Sequence, residues 1–233
     1  MIIQSLWIGN ILSRMEVACI NSFLSLGYEY HLYSYSKIEN VPKKVKLINA
    51  NEIINESEIF TYNLPDHMGG KSYSAFSNLF RYKLLYDKGN CWVDTDVYAL
   101  KRLPETDYIL AKESDTKIAS CILCFPPKHI FSFICMNKCL ERKKDNLRWG
   151  ETGPLLTSET ANKLKLSSFP KSEFFPISFE EIDKFLDDID LPKSFTIHFW
   201  NEMWRRKKID KNKKFDKRSL YEKLVCAFNL KLL

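Results

Sequence analysis

The stretch "NCWVDTDVYAL", residues 90–100, places two aspartates one residue apart directly behind a short apolar run. That run, residues 91–93, follows Gly89 and is typical of a buried strand. Side chains at positions i and i+2 of an extended chain point to the same side, so Asp94 and Asp96 can converge on one point. Because carboxylates are rarely buried unless they are paired or bind a metal, we expect a cation there.

The spacing of the two aspartates suits a divalent metal site. Hard oxygen ligands with open coordination positions favour Mg²⁺ or Mn²⁺, and both ions bind phosphate oxygens well. In α/β sheets, ligands collect at the carboxyl ends of strands, which is where Asp94 and Asp96 are expected. The alternative is an ordinary polar turn between two strands. An Asp-x-Asp pair is too short to separate the two interpretations by itself.

Strand and helix patterns alternate on both sides of this stretch. The predicted order is a strand at 2–9, a helix at 13–27 with Ser13 as its N-cap, strands at 28–35 and 44–50, a helix at 72–88, strands at 107–114 and 118–125, helices at 127–144 and 152–164, a strand end with a short helix within 175–188, a strand at 195–200 and an amphipathic segment at 219–233. This alternation predicts an α/β fold. The sequence contains no internal repeat or Pro/Gly-rich linker, which favours a single domain.

Polar residues on the helix at 72–88 share one face. Ser74, Asn78 and Arg81 are spaced three and four residues apart, and apolar residues cover another face of the same helix.

The 233 residues are 45% apolar and 14% aromatic, which suits one globular domain with a substantial core.

The seven cysteines predict free thiols in a reducing compartment, because their number is odd and most lie within apolar runs. Cys121 and Cys124 have the spacing of half a zinc site, but no second Cys/His pair at ligand spacing accompanies them. The first residues lack the features of a secretory signal, and no apolar run reaches the ~18 residues of a spanning helix. These observations predict a cytoplasmic protein.

The block "FSNLFRYKLLYDKGNCWVDTDVYALKRL", residues 76–103, resembles a known family signature, S-D-x-x-R-Y-x-x-L-Y-x-x-G-G-x-Y-x-D-x-D. It is the signature of glycosyltransferases that include family 32, the alpha-1,4-glycosyltransferases and the glucosylating toxin domains. The residues in register are Ser77, Arg81, Tyr82, Leu85, Tyr86, Gly89, Asp94 and Asp96. Two further segments also resemble the family, "LWIGN" at 6–10 and "HFWNEMW" at 198–204.

The resemblance implies a GT-A (Rossmann-like) fold with a mixed central sheet, and transfer of a sugar with retention from a nucleotide-diphosphate donor. Asp96 would bind the metal, and Asp94 would bind the metal or the donor's ribose and sugar. His198 would complete the metal and diphosphate site. Arg81 would contact the donor sugar or phosphates, and Trp7 would stack near the nucleobase. The implied cofactor is Mn²⁺ or Mg²⁺.

The resemblance extends the donor site to five more residues: Ile8, Asn78, Trp92, Thr95 and Gly153. Structural alternatives remain open, because Trp7 and His198 could be ordinary core residues and Arg81 an ion-pair partner on the helix surface. Asn78 stands where the family has Asp, and an amide can donate where a carboxylate can only accept.

The predicted function is metal-dependent retaining transfer of a hexose from a nucleotide-diphosphate sugar, with a UDP-sugar as the expected donor, to a glycan or lipid-linked acceptor of a bacterial surface polysaccharide. No protein nucleophile or base is implied; Glu113 and Glu151 are unranked polar candidates. The alternative is a non-catalytic, lectin-like relative that keeps the GT-A fold. Asn78 favours this alternative, whereas Asp94 and Asp96 oppose it.

Positive charge is concentrated near the C-terminus. The chain carries +6 overall, and residues 204–218 contain nine Lys/Arg and two Asp. We predict a catalytic domain at 1–204 and a basic, amphipathic extension at 205–233. The segment Arg205–Arg218 is either a solvated charge run or a surface for anionic lipid at the inner face of the membrane. Nucleic acid is not expected, because no nucleic-acid-binding motif accompanies the charge.

Overall fold

The computed structural model describes residues 1–142 and 146–227. Its centre is a five-stranded mixed sheet with the order β3-β2-β1-β4-β6. The strands of the described chain are β1 (Ile2–Trp7), β2 (Glu29–Ser34), β3 (Val45–Asn49), β4 (Asn90–Val93), β5 (Val97–Ala99), β6 (Ile122–Phe125) and β7 (Thr196–His198). β1 to β4 run parallel, and β6 pairs antiparallel with β4. The predicted α/β fold with a mixed central sheet is confirmed.

Helices cover the sheet. The predicted helices at 13–27, 72–88 and 127–144 are confirmed, whereas the helices at 171–174 and 201–206 were not predicted. They are α1 (Arg14–Ser25), α2 (Ser74–Lys88), α3 (Ile130–Glu141), α4 (Leu156–Lys163), α5 (Lys171–Phe174), α6 (Asn201–Arg206) and α7 (Leu220–Cys226). Ser13 caps α1 as predicted, since its hydroxyl accepts a hydrogen bond from the Met15 amide while Glu16 accepts from the Ser13 amide at 2.8 Å. The part of the predicted helix 127–144 beyond residue 142 lies outside the described residues.

The turn between α2 and β4 determines where the aspartates lie. Gly89 ends α2 with a φ of +65°, and Asn90 follows with a φ of +70°. A Cβ on Gly89 would come within 2.5 Å of the Pro127 backbone nitrogen, so a larger residue does not fit without movement. Asn tolerates the left-handed region better than most residues. The chain therefore turns sharply into β4, and Asp94 lies directly after the end of this buried strand.

One expectation about the cysteines is wrong. Cys91 on β4 and Cys124 on β6 form a disulfide. The two residues lie directly opposite each other in the antiparallel register, a relationship that their separation in the sequence does not reveal. The other five cysteines are free, as predicted: Cys19, Cys121, Cys135, Cys139 and Cys226. The inference of a reducing compartment from seven free thiols therefore loses its basis.

The first predicted strand after the aspartates, 107–114, forms a hairpin at the sheet edge, which we call the edge hairpin (residues 109–119). Ile109 bridges Cys124 of β6, and Lys112 bridges Ile118 across the hairpin. Ala111 also bridges Phe169 in parallel. These bridges are isolated, so the segment extends the sheet without forming a long regular strand.

A second, two-stranded sheet brings distant residues together. β5 follows the aspartates directly and pairs antiparallel with β7, so that Val97 lies opposite His198. The Phe199 amide donates to the Asp96 carbonyl at 2.9 Å and extends this pairing. The late histidine predicted from the resemblance is thereby placed beside the aspartate pair.

Two predicted elements differ from the structure. The helix expected at 152–164 is divided into a π-helical turn, Glu151–Leu155, and α4. The reason is Gly153, whose φ of −96° and ψ of −118° are not helical. The region 175–188 contains a 3₁₀ helix, Phe179–Leu186, that begins at a capping box formed by Ser178 and Glu181.

The C-terminal segment packs against α1. Trp204, Leu220 and Tyr221 are buried in one cluster with Met15. The amphipathic pattern is confirmed as α7, and residues 228–233 lie outside the described residues. The predicted boundary at residue 204 falls within α6. The division into a domain at 1–204 and an extension at 205–233 stays a prediction.

Many charges of the basic segment have partners within the protein. Arg205 and Arg206 both contact Glu202, and Lys211 contacts the buried Glu16 at 2.6 Å. Lys207 pairs with Asp183, and Arg218 pairs with Asp216. Two of these pairs, Lys207 with Asp183 and Lys211 with Glu16, join the segment to distant parts of the chain. None of the helices in the described ranges is long and apolar enough to cross a membrane.

We expect Glu222→Gln to lower the free energy of unfolding by about 2 kcal/mol at pH 7. Arg14 donates two hydrogen bonds to Glu222, at 2.7 and 3.0 Å, and this contact lowers the pKa of Glu222 to about 2. A lowered pKa stabilises the fold above the unfolded-state value of about 4.3, and this contribution is lost as the pH falls towards 2. Urea unfolding at pH 7 and at pH 3 measures the effect.

The matched control for this prediction is Glu39→Gln, at an exposed carboxylate, which should change stability by less than about 0.5 kcal/mol. The difference between Glu222→Gln and the parent protein should shrink at pH 3. An equal difference at both pH values would contradict the assigned contact.

Candidate active site

A cavity of about 480 Å³ lies at the carboxyl end of β4. Asp94, Thr95, Asp96 and His198 line it together with the polar face of α2. The α2 residues at the cavity are Ser74, Ser77, Asn78 and Arg81, while Phe76, Leu79, Phe80 and Leu84 of the same helix are buried. The predicted polar face of this helix therefore contributes one wall of the cavity.

Two hydrogen-bond donors contact the same oxygen of the Asp94 carboxylate. Trp92 Nε1 donates to Asp94 Oδ1 at 2.7 Å, and Arg81 Nη2 lies 2.9 Å from the same oxygen. Burial raises the pKa of Asp94, and the Arg81 guanidinium opposes that effect. Among the described residues, none donates a hydrogen bond to Asp94 Oδ2. One carboxylate oxygen is thus fixed, and the other is available for a ligand.

Asp96 is oriented by His198 and by a backbone amide. His198 Nε2 lies 3.1 Å from Asp96 Oδ2, and the Asn201 amide donates to the same oxygen at 2.8 Å. Burial alone would raise the pKa of Asp96, but the charge and hydrogen bond of His198 outweigh it and bring the pKa to about 2. Burial alone would lower the pKa of His198, whereas Asp96 raises it well above the ordinary value.

Trp200 shapes this corner of the site. Its backbone has a φ of +59°, an uncommon conformation for a bulky residue, and it immediately precedes α6. The indole lies against His198 with ring centroids 3.9 Å apart, and its Nε1 donates to the Ile177 carbonyl at 2.9 Å. The turn at Trp200 allows His198 and the Asn201 amide to reach the same oxygen of Asp96.

Asp94, Asp96 and His198 are suited to holding a metal ion. One ligating atom from each lies within 4.8 Å of the others, and the set combines two carboxylates with one imidazole. This chemistry fits Mn²⁺, and also Mg²⁺ through the carboxylate oxygens. Ligation by His198 requires the neutral ring, so cation binding would release the proton that the ring shares with Asp96. The cluster could therefore hold the ion that the Asp-x-Asp spacing predicts.

Arg81 and Asn78 are buried and bond within the protein. The Arg81 side chain is only 2% exposed, and it donates to the Ser120 carbonyl as well as contacting Asp94. Asn78 Nδ2 donates to Thr152 Oγ1 at 3.1 Å. A Cβ on Gly153 would lie 3.2 Å from Asn78 and from Ser120, so Gly153 allows this close packing. Asn78 therefore joins α2 to the π-helical turn.

Two predicted donor contacts lie elsewhere. Trp7 is the last residue of β1 and Ile8 follows it, yet neither is among the described residues that line the cavity; Leu6 lines it instead. Trp7 is half-buried against the core, and Lys211 Nζ lies 5.8 Å from its ring centroid. Gly153 is buried and is not among the described residues that line the cavity, whereas Gly150 and Pro154 line it. Trp92 and Thr95 both line it, as expected.

Sequence reasoning missed several residues of the site. Aromatic side chains that line the cavity but were not predicted are Tyr62, Trp149, Phe179 and Trp200. Tyr62 and Trp149 contact each other with ring centroids 5.0 Å apart, and the Arg206 guanidinium lies 4.5 Å from the Trp149 ring centroid. These residues come from separate segments of the chain, and no spacing in the sequence marks them.

Comparison with known proteins agrees with this geometry. A family model described as "Alpha 1,4-glycosyltransferase conserved region" matches residues 124–229. The lactosylceramide 4-alpha-galactosyltransferase of Pan troglodytes is 26% identical over 148 residues, which cover 55% of this chain and 42% of that protein. The alpha-1,4-N-acetylglucosaminyltransferase of Homo sapiens is 27% identical over 146 residues, which cover 54% of this chain and 42% of that protein.

A solved structure supports the fold independently. The PaToxG glycosyltransferase superposes with a TM-score of 0.51 at 13% identity, covering 70% of this chain and 68% of that chain. The fold is therefore the GT-A glycosyltransferase fold, as predicted. Within that class, the chain is similar to the alpha-1,4-glycosyltransferases over the matched residues, and the predicted resemblance is confirmed. The matched region spans about two fifths of the length of the two curated relatives.

Proposed function

We propose that this protein transfers a hexose, with retention of configuration, from a nucleotide-diphosphate sugar to a glycan or glycolipid acceptor, and that the transfer depends on a divalent metal. The observation that supports this proposal most strongly is the convergence of Asp94, Asp96 and His198 within 4.8 Å at the cavity. Two of these residues are separated in sequence from the third by about a hundred positions, and a dedicated two-stranded sheet brings them together.

A metal held by the three residues would neutralise the negative charge that develops on the departing diphosphate. The protein's own residues prepare that position. Arg81 and Trp92 hold one oxygen of Asp94, and the Asn201 amide holds one oxygen of Asp96. Because these hydrogen-bonding groups already hold the two carboxylates, the carboxylates need little reorganisation when a nucleotide-sugar binds.

A UDP-sugar is the proposed donor, and Mn²⁺ the proposed ion. A lipid-linked or glycolipid acceptor is supported by the names of the relatives, which include a lactosylceramide galactosyltransferase. A role in a bacterial surface polysaccharide rests on the sequence resemblance alone. Membrane contact remains a proposal; it is supported by four exposed lysines of the basic segment that have no carboxylate partner among the described residues: Lys208, Lys213, Lys214 and Lys217.

The first test is the thermal stability of the protein with UDP- and GDP-sugars, each with and without Mn²⁺ or Mg²⁺. A ligand at about 100 times its dissociation constant should raise the Tm by about 5 °C or more, and only when the metal is present. The same mixtures with Asp96→Asn are the control, because this variant should show no metal-dependent shift. No shift with any nucleotide, with or without metal, would contradict the proposal.

The second candidate function is a non-catalytic, sugar-binding relative, which the amide at position 78 favours. The internal bond from Asn78 to Thr152 gives that amide a packing role, so it does not by itself argue against catalysis. A lectin-like protein would be stabilised by free sugars without nucleotide or metal. The thermal experiment therefore separates the two candidates when free galactose and N-acetylglucosamine are included.

A further inference from the structure

The tip of the edge hairpin presents two charged side chains to the cavity. Glu113 and Lys117 both line it. The backbone at the tip is fixed, because the Glu113 amide donates to the Lys117 carbonyl at 2.9 Å and the Lys112–Ile118 bridge closes the hairpin behind it. The backbone of the edge hairpin therefore fixes the Cα positions of these two residues, and only their side-chain rotamers can vary.

The Glu113 carboxyl has no hydrogen bond or ion pair with a side chain in the part of the chain that the structure describes. It is nevertheless half-buried within the cavity. Burial raises the pKa of Glu113 to about 7, although the charges of His198 and Lys117 oppose the rise. Placing a carboxyl in such surroundings without a partner costs free energy, so a polar partner is expected when the cavity is filled.

The position of Glu113 indicates which part of a bound complex it faces. Glu113 is part of the edge hairpin beside β6, and the charges that act on its carboxyl are those of His198 and Lys117. Arg81 lies behind Asp94 on the α2 wall, which is the wall that the donor sugar is expected to contact. Glu113 therefore lies on the His198 side of the candidate metal site.

The same cavity provides apolar surfaces suited to a sugar ring. Phe179 and Trp200 line it with ring centroids 5.9 Å apart, and Trp200 also packs on His198. Carbohydrate sites commonly combine such aromatic faces with a few fixed polar groups that set the orientation of the ligand. The His198 side of the cavity contains both kinds of group.

We propose that Glu113 binds the acceptor sugar, accepting hydrogen bonds from its hydroxyls and orienting the hydroxyl that attacks the donor. This inference rests on the proposed glycosyl transfer. In that reaction the acceptor oxygen forms a bond to the anomeric carbon and the bond from that carbon to the diphosphate breaks. The proton of the acceptor hydroxyl leaves with the diphosphate. Glu113 is unchanged by the reaction and acts by positioning and by selecting the acceptor.

The test compares two reactions of the same enzyme, each with UDP-galactose or UDP-N-acetylglucosamine and Mn²⁺. One is slow hydrolysis of the donor without acceptor, and the other is transfer to lactose or an alkyl lactoside. Glu113→Gln keeps the shape of the side chain, and Glu113→Ala removes it. We expect either change to lower kcat/KM for the acceptor by about 10–100-fold and to leave donor hydrolysis within about twofold.

Asp115→Asn is the matched control. Asp115 is an exposed carboxylate on the same hairpin and is not among the described residues that line the cavity. This variant should retain both reactions. A parallel loss of hydrolysis and transfer in Glu113→Gln, or no loss of transfer, would overturn the acceptor assignment. A parent enzyme that hydrolyses none of the donors would instead contradict the proposed function itself, so the two failures are distinguishable.

Discussion

Replacing Asp96 with asparagine is expected to lower glycosyl transfer by about 10³-fold and to abolish metal-dependent donor binding. The change keeps the size of the side chain but removes a charge that His198 and the Asn201 amide maintain at neutral pH. A neutral amide oxygen is a much weaker partner for a divalent cation. The measurement is kcat/KM at saturating Mn²⁺, together with calorimetric titration of Mn²⁺.

Asp107→Asn is a suitable control for Asp96→Asn, because Asp107 is exposed and lies at a separate surface depression. It should leave both the rate and the metal affinity unchanged. Circular dichroism and urea unfolding of the two variants establish that the fold is intact. Transfer by Asp96→Asn within about threefold of the parent would show that the carboxylate is not needed for the reaction.

Replacing Arg81 with methionine is expected to lower the free energy of unfolding by about 3–5 kcal/mol. Arg81 is almost fully buried, and it is the cationic partner of Asp94 at 2.9 Å. Without the guanidinium, the Asp94 carboxylate loses its compensating charge and the Ser120 carbonyl loses a donor. Urea unfolding at pH 7, monitored by tryptophan fluorescence, measures the change.

Lys83→Met on the same helix is the matched control for Arg81→Met. Lys83 pairs with Asp87 at 2.7 Å, but both side chains are partly exposed, so the expected cost is below about 1 kcal/mol. The double variant Arg81→Met with Asp94→Asn should be less destabilised than the sum of its parts, because it leaves no unpaired charge. Equal, small effects of Arg81→Met and Lys83→Met would contradict the role given to the buried pair.

The sequence allowed the strand that ends at Asp94 and the polar face of α2 to be predicted because both depend on local periodicity. Apolar positions at strand and helix spacing identify which sides are buried. The aspartate pair and α2 therefore appear in the structure where the pattern places them. The part played by His198 came from family resemblance, since its approach to Asp96 depends on the pairing of β5 with β7.

Other parts of the site depend on tertiary structure that local patterns do not encode. The left-handed backbone of Trp200 and the position of the Asn201 amide depend on the turn between β7 and α6. The disulfide depends on the register of β4 against β6, which no spacing of cysteines reveals. Likewise, nine positive charges in one segment are visible in the sequence, but the distant carboxylates that pair with Lys207 and Lys211 are not.

The most direct measurement is anomalous diffraction from crystals of the protein grown with Mn²⁺ and UDP. We expect one strong manganese peak between Asp94, Asp96 and His198, in contact with the diphosphate oxygens, and its disappearance in crystals of Asp96→Asn. A well-ordered nucleotide with no manganese at these three residues, or with the ion held elsewhere in the cavity, would contradict the central claim.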